Sequence, residues 1–172
     1  MSISSDNTTS KPILVGGIGN ILMGDDGIGV HVVRELAAEH GPFPDTEISD
    51  LGTPGMALLH SIAERHKVIL VDCADFDQPA GTCRCFSPEQ AHSVKKMSGF
   101  SLHEGDLFQI LKISRDLGEA PSETILVGIQ PGNVSPKERL SPAVTKQMND
   151  YVNLLKKLIC NTDCRPCGNP PK

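Results

Sequence analysis

Aromatic residues are nearly missing from this 172-residue chain, which has no Trp, one Tyr and five Phe. Single-stranded nucleic acid is bound by stacking on such rings, so that class of binder is set aside. Positive charge is in deficit as well. Sixteen Lys and Arg stand against 21 Asp and Glu, a net charge of -5. A nucleic-acid binder draws most of its affinity from cationic contacts to phosphate and carries the opposite balance. Long apolar runs are lacking too. A typical one, Val68-Ile69-Leu70-Val71, falls far short of the roughly 20 residues a membrane helix needs. The opening MSISSDNTTSK has no apolar segment and no cleavage pattern, so no signal peptide is read there. The expected location is the cytoplasm, with neither nucleic acid nor membrane as partner. Two hydrolase signatures are also absent. There is no G-x-S-x-G elbow and no H-E-x-x-H, since His103-Glu104 is followed by Gly105-Asp106-Leu107.

What is present suits one soluble globular domain. Hydrophobic residues make up 38% and charged residues 22%, and the length allows a core without disulfides. Six cysteines in such a chain are expected as free thiols or metal ligands. Residues 1–11 read as a polar tail, 12–160 as the domain, and 161–172 (NTDCRPCGNPPK) as a Cys/Pro-rich tail.

Within the domain, apolar runs and helical stripes alternate. Strands are expected at 12–17 (PILVGG), 46–50, 67–72 (KVILVD) and 123–129 (ETILVGI), with a fourth-in-order edge strand at 81–86. Helices are expected from Asp26 or Gly27 to about His40, over 55–64, and from Glu104 to about Leu117. A last helix opens at Ser141 as N-cap with Pro142 in its first position. The stretch 87–103 reads as polar and irregular. The pattern predicts an α/β three-layer sandwich: about five mostly parallel strands with helices on both faces. Sites in such sheets gather at the carboxyl ends of the strands.

The first strand runs into Gly17-Ile18-Gly19-Asn20-Ile21-Leu22-Met23-Gly24-Asp25-Asp26-Gly27-Ile28-Gly29. As a dinucleotide fingerprint it fails, because Leu22 stands where the third Gly belongs. Asp25 and Asp26 also sit at the helix start, where they would repel a pyrophosphate. Either acid could instead only cap the helix. Asp72 ends the third strand at the same sheet edge, and alone it could cap the next turn. His103 precedes a helix. Two carboxylates and an imidazole form a ligand set suited to a divalent transition metal, with coordination positions left open. A Cys73–His103 thiol protease is disfavoured, since strand alternation points Asp72 and Cys73 to opposite faces. Cys83 and Cys85 are alternate residues on a predicted strand and share one side; neither is assigned a role. Cys160-x3-Cys164-x2-Cys167 has the spacing of a cluster motif in radical enzymes that use S-adenosylmethionine. It follows the last helix rather than a barrel strand, and three thiols fall one short of a structural zinc site, so it is read as incidental.

Residues 17–29 resemble the opening motif of the hydrogenase maturation endopeptidases: a G-x-G-N-x-L, two acids, then a G-x-G-like helix start. Further landmarks follow in the family's order. They are Asp50-Leu51-Gly52-Thr53-Pro54-Gly55 (with Leu51 at a common Gly), the strand VILVDCAD, Ser101-Leu102-His103, Val127-Gly128-Ile129-Gln130-Pro131, and Leu140-Ser141-Pro142. The resemblance spans about residues 13–159. It implies an endopeptidase that trims the C-terminal extension of the nickel–iron hydrogenase large-subunit precursor once nickel is inserted. Nickel would arrive with the substrate and be recognised by Asp26, Asp72 and His103, with Asp26 and Asp72 as the candidate catalytic carboxylates. Asn20, Asp25, Gly52 and Thr53 would support the loops. The expected partner is that precursor, met by a monomer. A non-catalytic nickel-sensing chaperone and a dinucleotide-binding oxidoreductase are the alternatives.

Overall fold

The computed structural model describes residues 11–39, 41, 43–95 and 104–160. Its centre is a five-stranded sheet: β1 Ile13–Ile18, β2 Thr46–Gly52, β3 Lys67–Cys73, β4 Cys83–Phe86 and β5 Glu123–Ile129, in the order β2-β1-β3-β5-β4. All neighbours are parallel except β4, which runs antiparallel to β5 at the edge. Parallel strands need crossovers, and the helices supply them. These are α1 Ile28–Ala38, α2 Ala57–Ile62, α3 Pro88–Lys95 and α4 Glu104–Asp116, followed by α5 Pro142–Thr145 and α6 Met148–Cys160.

The apolar runs are continuous because both sheet faces are covered. Every residue of β3 is buried. Even Lys67 is only 3% exposed, and its ammonium lies 3.2 Å from the Glu123 carboxylate. On one face Val15, Ile69, Val71, Val127 and Ile129 pack against α1 and α6; on the other Leu14, Val68, Leu70 and Leu126 meet α2, α3 and α4. The three expected layers are there.

The sequence reading needs correcting at several points. Residues 88–95 form a helix, α3, where irregular chain was expected; its Ala91 is buried against Phe86 and Leu107. The α3 segment is polar overall, so its apolar face gives no clear periodic signal in the sequence. The second helix is shorter than expected. Gly55 in the left-handed region (φ 50) precedes it, and Ala63 (ψ 141) with Glu64 (φ 58) ends it. The last helix is interrupted at Lys146–Gln147. Ser141 does stand at the N-cap with Pro142 after it, but its hydroxyl makes no capping bond. Cys83 and Cys85 do share a side, both packing on the α1/α6 cluster.

Two glycines in the first loop are dictated by close approach. A Cβ on Gly29 would overlap the carbonyl oxygen of Val71, and one on Gly19 (φ 132) would overlap that of Asp26. The start of α1 is therefore pressed against the end of β3, and the residues just before it are folded back over the end of β1.

Candidate active site

β1 and β3 are neighbours in parallel, so their carboxyl ends emerge side by side. The loop after β1 and the last residues of β3 must meet at that edge. Asp25, Asp26 and Gly27 form one 3-10 turn there, ahead of α1. The two acids diverge within it.

Asp25 is fully buried. Its Oδ2 accepts the backbone N–H groups of Gly132 (2.8 Å) and Asn133 (2.9 Å), and its Oδ1 accepts that of Ser141 (2.6 Å). Burial alone would raise its pKa; the bonds from Ser141, Asn133 and Gly132 outweigh it and hold the carboxyl below the ordinary value. Asp25 thus does not cap α1 at all. It clamps the β1 loop to the segment between β5 and α5. The same joint carries backbone bonds from Gly24 N–H to Lys137 O, Lys137 N–H to Leu22 O, and Asp25 N–H to Asn133 O.

Asp26 is 6% exposed, and its Oδ2 accepts the backbone N–H of Asn20 at 3.0 Å. Asn20 in turn fixes its own turn, its Oδ1 accepting from Leu22 N–H. Gly52 closes the neighbouring loop: its carbonyl accepts from Gly19 N–H at 2.8 Å, and its N–H donates to Asp50 Oδ1. Asp50 also takes two bonds from Arg34 of α1, at 2.7 and 3.0 Å.

Asp72 is the anomalous group. It stands on the α2/α4 face of β3, while Cys73 turns into the α1/α6 cluster, as alternation requires. Its Oδ1 accepts the Cys73 N–H at 2.8 Å, but its Oδ2 is buried without a hydrogen-bond partner among the described residues. Burial pushes its pKa up; the Cys73 bond works against this, and the Asp26 charge adds to the rise, which reaches about 8. A carboxylate that is desolvated, half unpaired and beside another carboxylate is costly, and it is the arrangement a divalent cation relieves.

His103 lies outside the described residues, as do Cys164 and Cys167. Among the described residues no cluster of three His, Cys, Asp or Glu side chains could hold a metal. What the structure does bring to one edge is Asp26 and Asp72. Cys160 is free and exposed at the end of α6. Thr53 and Asp72 line one cleft of about 110 Å³ between the β2–α2 loop, α2 and α4.

Sequence reasoning missed the joint between the β1 loop and the 132–141 segment. Gly132 and Asn133 directly follow the V-G-I-x-P landmark, yet their N–H groups carry no signature, because backbone donors are independent of side-chain identity. It also missed Gln130. Its Oε1 accepts from Phe76 N–H and Gln78 N–H, and its Nε2 donates to Asp75, pinning the chain after β3 to the end of β5.

The model of the hydrogenase maturation protease family matches residues 30–158, beginning just after the acidic turn and including Asp72. The hydrogenase 2 maturation protease of Escherichia coli is 37% identical over 134 residues, covering 77% of this chain and 80% of that one. The hydrogenase expression/formation protein HupD of Thiocapsa roseopersicina is 30% identical over 141 residues; the match covers 77% of this chain and 64% of that relative's length. The solved hydrogenase maturating endopeptidase HybD of E. coli superposes with a TM-score of 0.76 at 32% identity, covering 83% of this chain and 88% of its own. The chain belongs to the hydrogenase maturation protease family.

Proposed function

We propose that this protein is an endopeptidase that removes the C-terminal extension from the large-subunit precursor of a nickel–iron hydrogenase after nickel insertion. It reads the nickel carried by that substrate through Asp26, Asp72 and His103, and it acts as a cytoplasmic monomer. The observation that carries this reading is the unpaired, buried Oδ2 of Asp72 beside the charge of Asp26. A cation brought by the substrate would pair with that oxygen and relieve the repulsion between the two acids. Three ligands leave coordination positions for the substrate's own groups. The family and the names of its relatives support the reaction class.

The chemistry needs a proton taken from water as its oxygen adds to the scissile carbonyl, and a proton given to the leaving nitrogen. We assign that role to Asp72, whose carboxylate stands at the sheet edge beside Asp26, where the cation and its water would meet it. Asp26, held through Asn20, orients the cation. The dinucleotide reading finds two buried acids where a pyrophosphate would dock. The chaperone reading requires the same ligands and differs only in turnover.

Intact-mass measurement of nickel-loaded and nickel-free precursor after incubation separates these. The expected result is a mass loss equal to the extension, only with nickel. Binding without mass loss would favour the chaperone, and equal cleavage of the nickel-free form would remove the nickel checkpoint. Asp26→Asn and Asp72→Asn should each reduce processing by at least 100-fold, on the order of removing one transition-state electrostatic contact. Because the ion travels with the substrate, the purified protein should retain no stoichiometric nickel after chelator treatment.

A further inference from the structure

We propose that the joint between the β1 loop and the 132–141 segment is a docking platform for the folded body of the protein substrate, the part of the precursor that carries the nickel. This rests on the endopeptidase reading above and says what holds the substrate apart from the acids themselves. Among the described residues only four large hydrophobic side chains stand exposed, and two of them, Leu22 (56%) and Val134 (49%), belong to this joint. Leu22 is the middle of three consecutive apolar residues, Ile21-Leu22-Met23, none of which is buried. Solitary exposed apolar residues are ordinary. A run of three, joined to a fourth across a backbone pairing, is a patch, and exposed patches rimmed by polar groups mark protein contacts.

Main-chain groups hold the two sides of the patch in register. Gly24 pairs with Val134, and Met23 with Lys137. The Gly24 N–H donates to Lys137 O at 2.6 Å, and the Lys137 N–H donates to Leu22 O at 2.9 Å. One side leaves the sheet after β1 and the other after β5, so the patch lies at the carboxyl edge that also carries Asp26 and Asp72.

The occupant follows from how the patch is tied to the acids. Asp25 is fixed to Gly132, Asn133 and Ser141, and Asp26 is the next residue in the same 3-10 turn. A buried carboxylate with three N–H donors is a strong joint, so the platform and the metal-facing Asp26 are one rigid unit. Metal ligands must be placed to within roughly 0.2 Å. A partner seated on the platform has its metal set relative to Asp26, which a flexible tail alone does not achieve. A tail threaded to the cut ends at the acids, whereas the body that holds the metal must lie flush on what surrounds them. Charge agrees with this. Lys137 and Arg139 stand exposed on the same segment with Glu138 between them, and no ion pair is formed by any of the three among the described residues. Two cations against one acid leave a positive surplus of one, in a chain whose net charge is -5. The fitting surface is apolar at its centre with carboxylates beside it. A symmetric pairing of two copies through this patch would instead bring like charges together.

The test is steady-state cleavage of nickel-loaded precursor, followed by intact mass, with Leu22→Asp and Val134→Asp set against Leu117→Asp. Leu117 is as exposed (59%) but lies between α4 and the start of β5, at the amino edge of the sheet. Leu22→Asp and Val134→Asp should each raise KM by about tenfold with kcat within about twofold of the parent, while Leu117→Asp changes neither. Lys137→Glu combined with Arg139→Glu should raise KM at low salt and reverse its salt dependence: the parent's KM rises with added NaCl and the variant's falls. That pair keeps the test alive if an apolar variant folds poorly. An unchanged KM in both Leu22→Asp and Val134→Asp, or a loss confined to kcat, would overturn the platform while leaving the endopeptidase reading intact. So would a parent that sediments as a dimer and becomes a monomer as Val134→Asp with KM unchanged, since the patch would then belong to a second copy. No cleavage by the parent would overturn both.

Discussion

Asp25 and Asp26 are adjacent in sequence and alike in chemistry, yet their environments assign them different work. Asp25 receives three N–H bonds and no solvent. Asn at that position supplies one acceptor oxygen and turns an amide N–H2 toward donors. The loss of charge-assisted bonds should cost about 2–4 kcal/mol in a urea unfolding series, more than removal of a helix cap. The sign with pH follows from its lowered pKa: the contribution of Asp25 is present above the unfolded carboxylate value and fades as pH falls through the depressed one. The advantage of the parent over Asp25→Asn should therefore shrink on acidification, and parallel stability curves between pH 7 and pH 3 would refute the clamp. Asp26 accepts a bond from Asn20 N–H that an Asn oxygen can also accept, so Asp26→Asn should cost less stability than Asp25→Asn. The pair was readable in the sequence as a pair of acids at a helix start. Which of them is clamped was not, because the deciding donors are backbone groups more than 100 residues away.

At the scale of elements, the first crossover is where the fold depends most on single atoms. Gly29, second in α1, lies so close to the Val71 carbonyl at the end of β3 that a Cβ there would overlap it. Gly29→Ala must push the helix off the sheet or bend the strand end that carries Asp72. Overpacking of this kind costs about 1–3 kcal/mol or more. The expected outcome is a lowered thermal midpoint together with reduced processing, whereas Gly118→Ala, where a Cβ meets open space (φ 75), should cost only its left-handed strain. A Gly29→Ala variant as stable and active as the parent would disprove the close approach. The strands were legible because β1, β3 and β5 are buried on both faces and so read as unbroken apolar runs. Helix α1 was legible from its one-faced stripe. Helix α3 was not, since its segment is short and polar and shows no clear apolar stripe. The split of the last helix was equally hidden: the stripe continues through Val144 and Tyr151, and only the backbone at Lys146–Gln147 departs.

Across the whole molecule, the carboxyl edge of the sheet trades stability for chemistry, and Asp72 carries that trade. Every residue of β3 is buried, and the sheet with its two helical layers supplies the stability against which Asp72 is set. Its folded pKa of about 8 lies above the unfolded value of 3.8. Between those pH values the folded chain holds a proton that the unfolded chain has released. Folding stability then falls as pH rises, by at most about 1.4 kcal/mol per pH unit from this group, and the decline ends once the folded carboxyl ionises. Asn at position 72 cannot ionise and lacks that slope. The thermal midpoint of Asp72→Asn relative to the parent should therefore climb steadily from pH 5 to pH 8 and level off above it, even though the variant is inactive in processing. Added divalent nickel should narrow the gap at pH 8 by stabilising the parent alone, since a ligand that binds only the folded state raises its midpoint. The paired measurement is differential scanning fluorimetry of both proteins at matched ionic strength from pH 5 to pH 9, with and without nickel. Midpoints that run parallel across the whole range would mean that Asp72 is ionised and satisfied in the free protein, and that the metal has no unpaired carboxylate waiting for it.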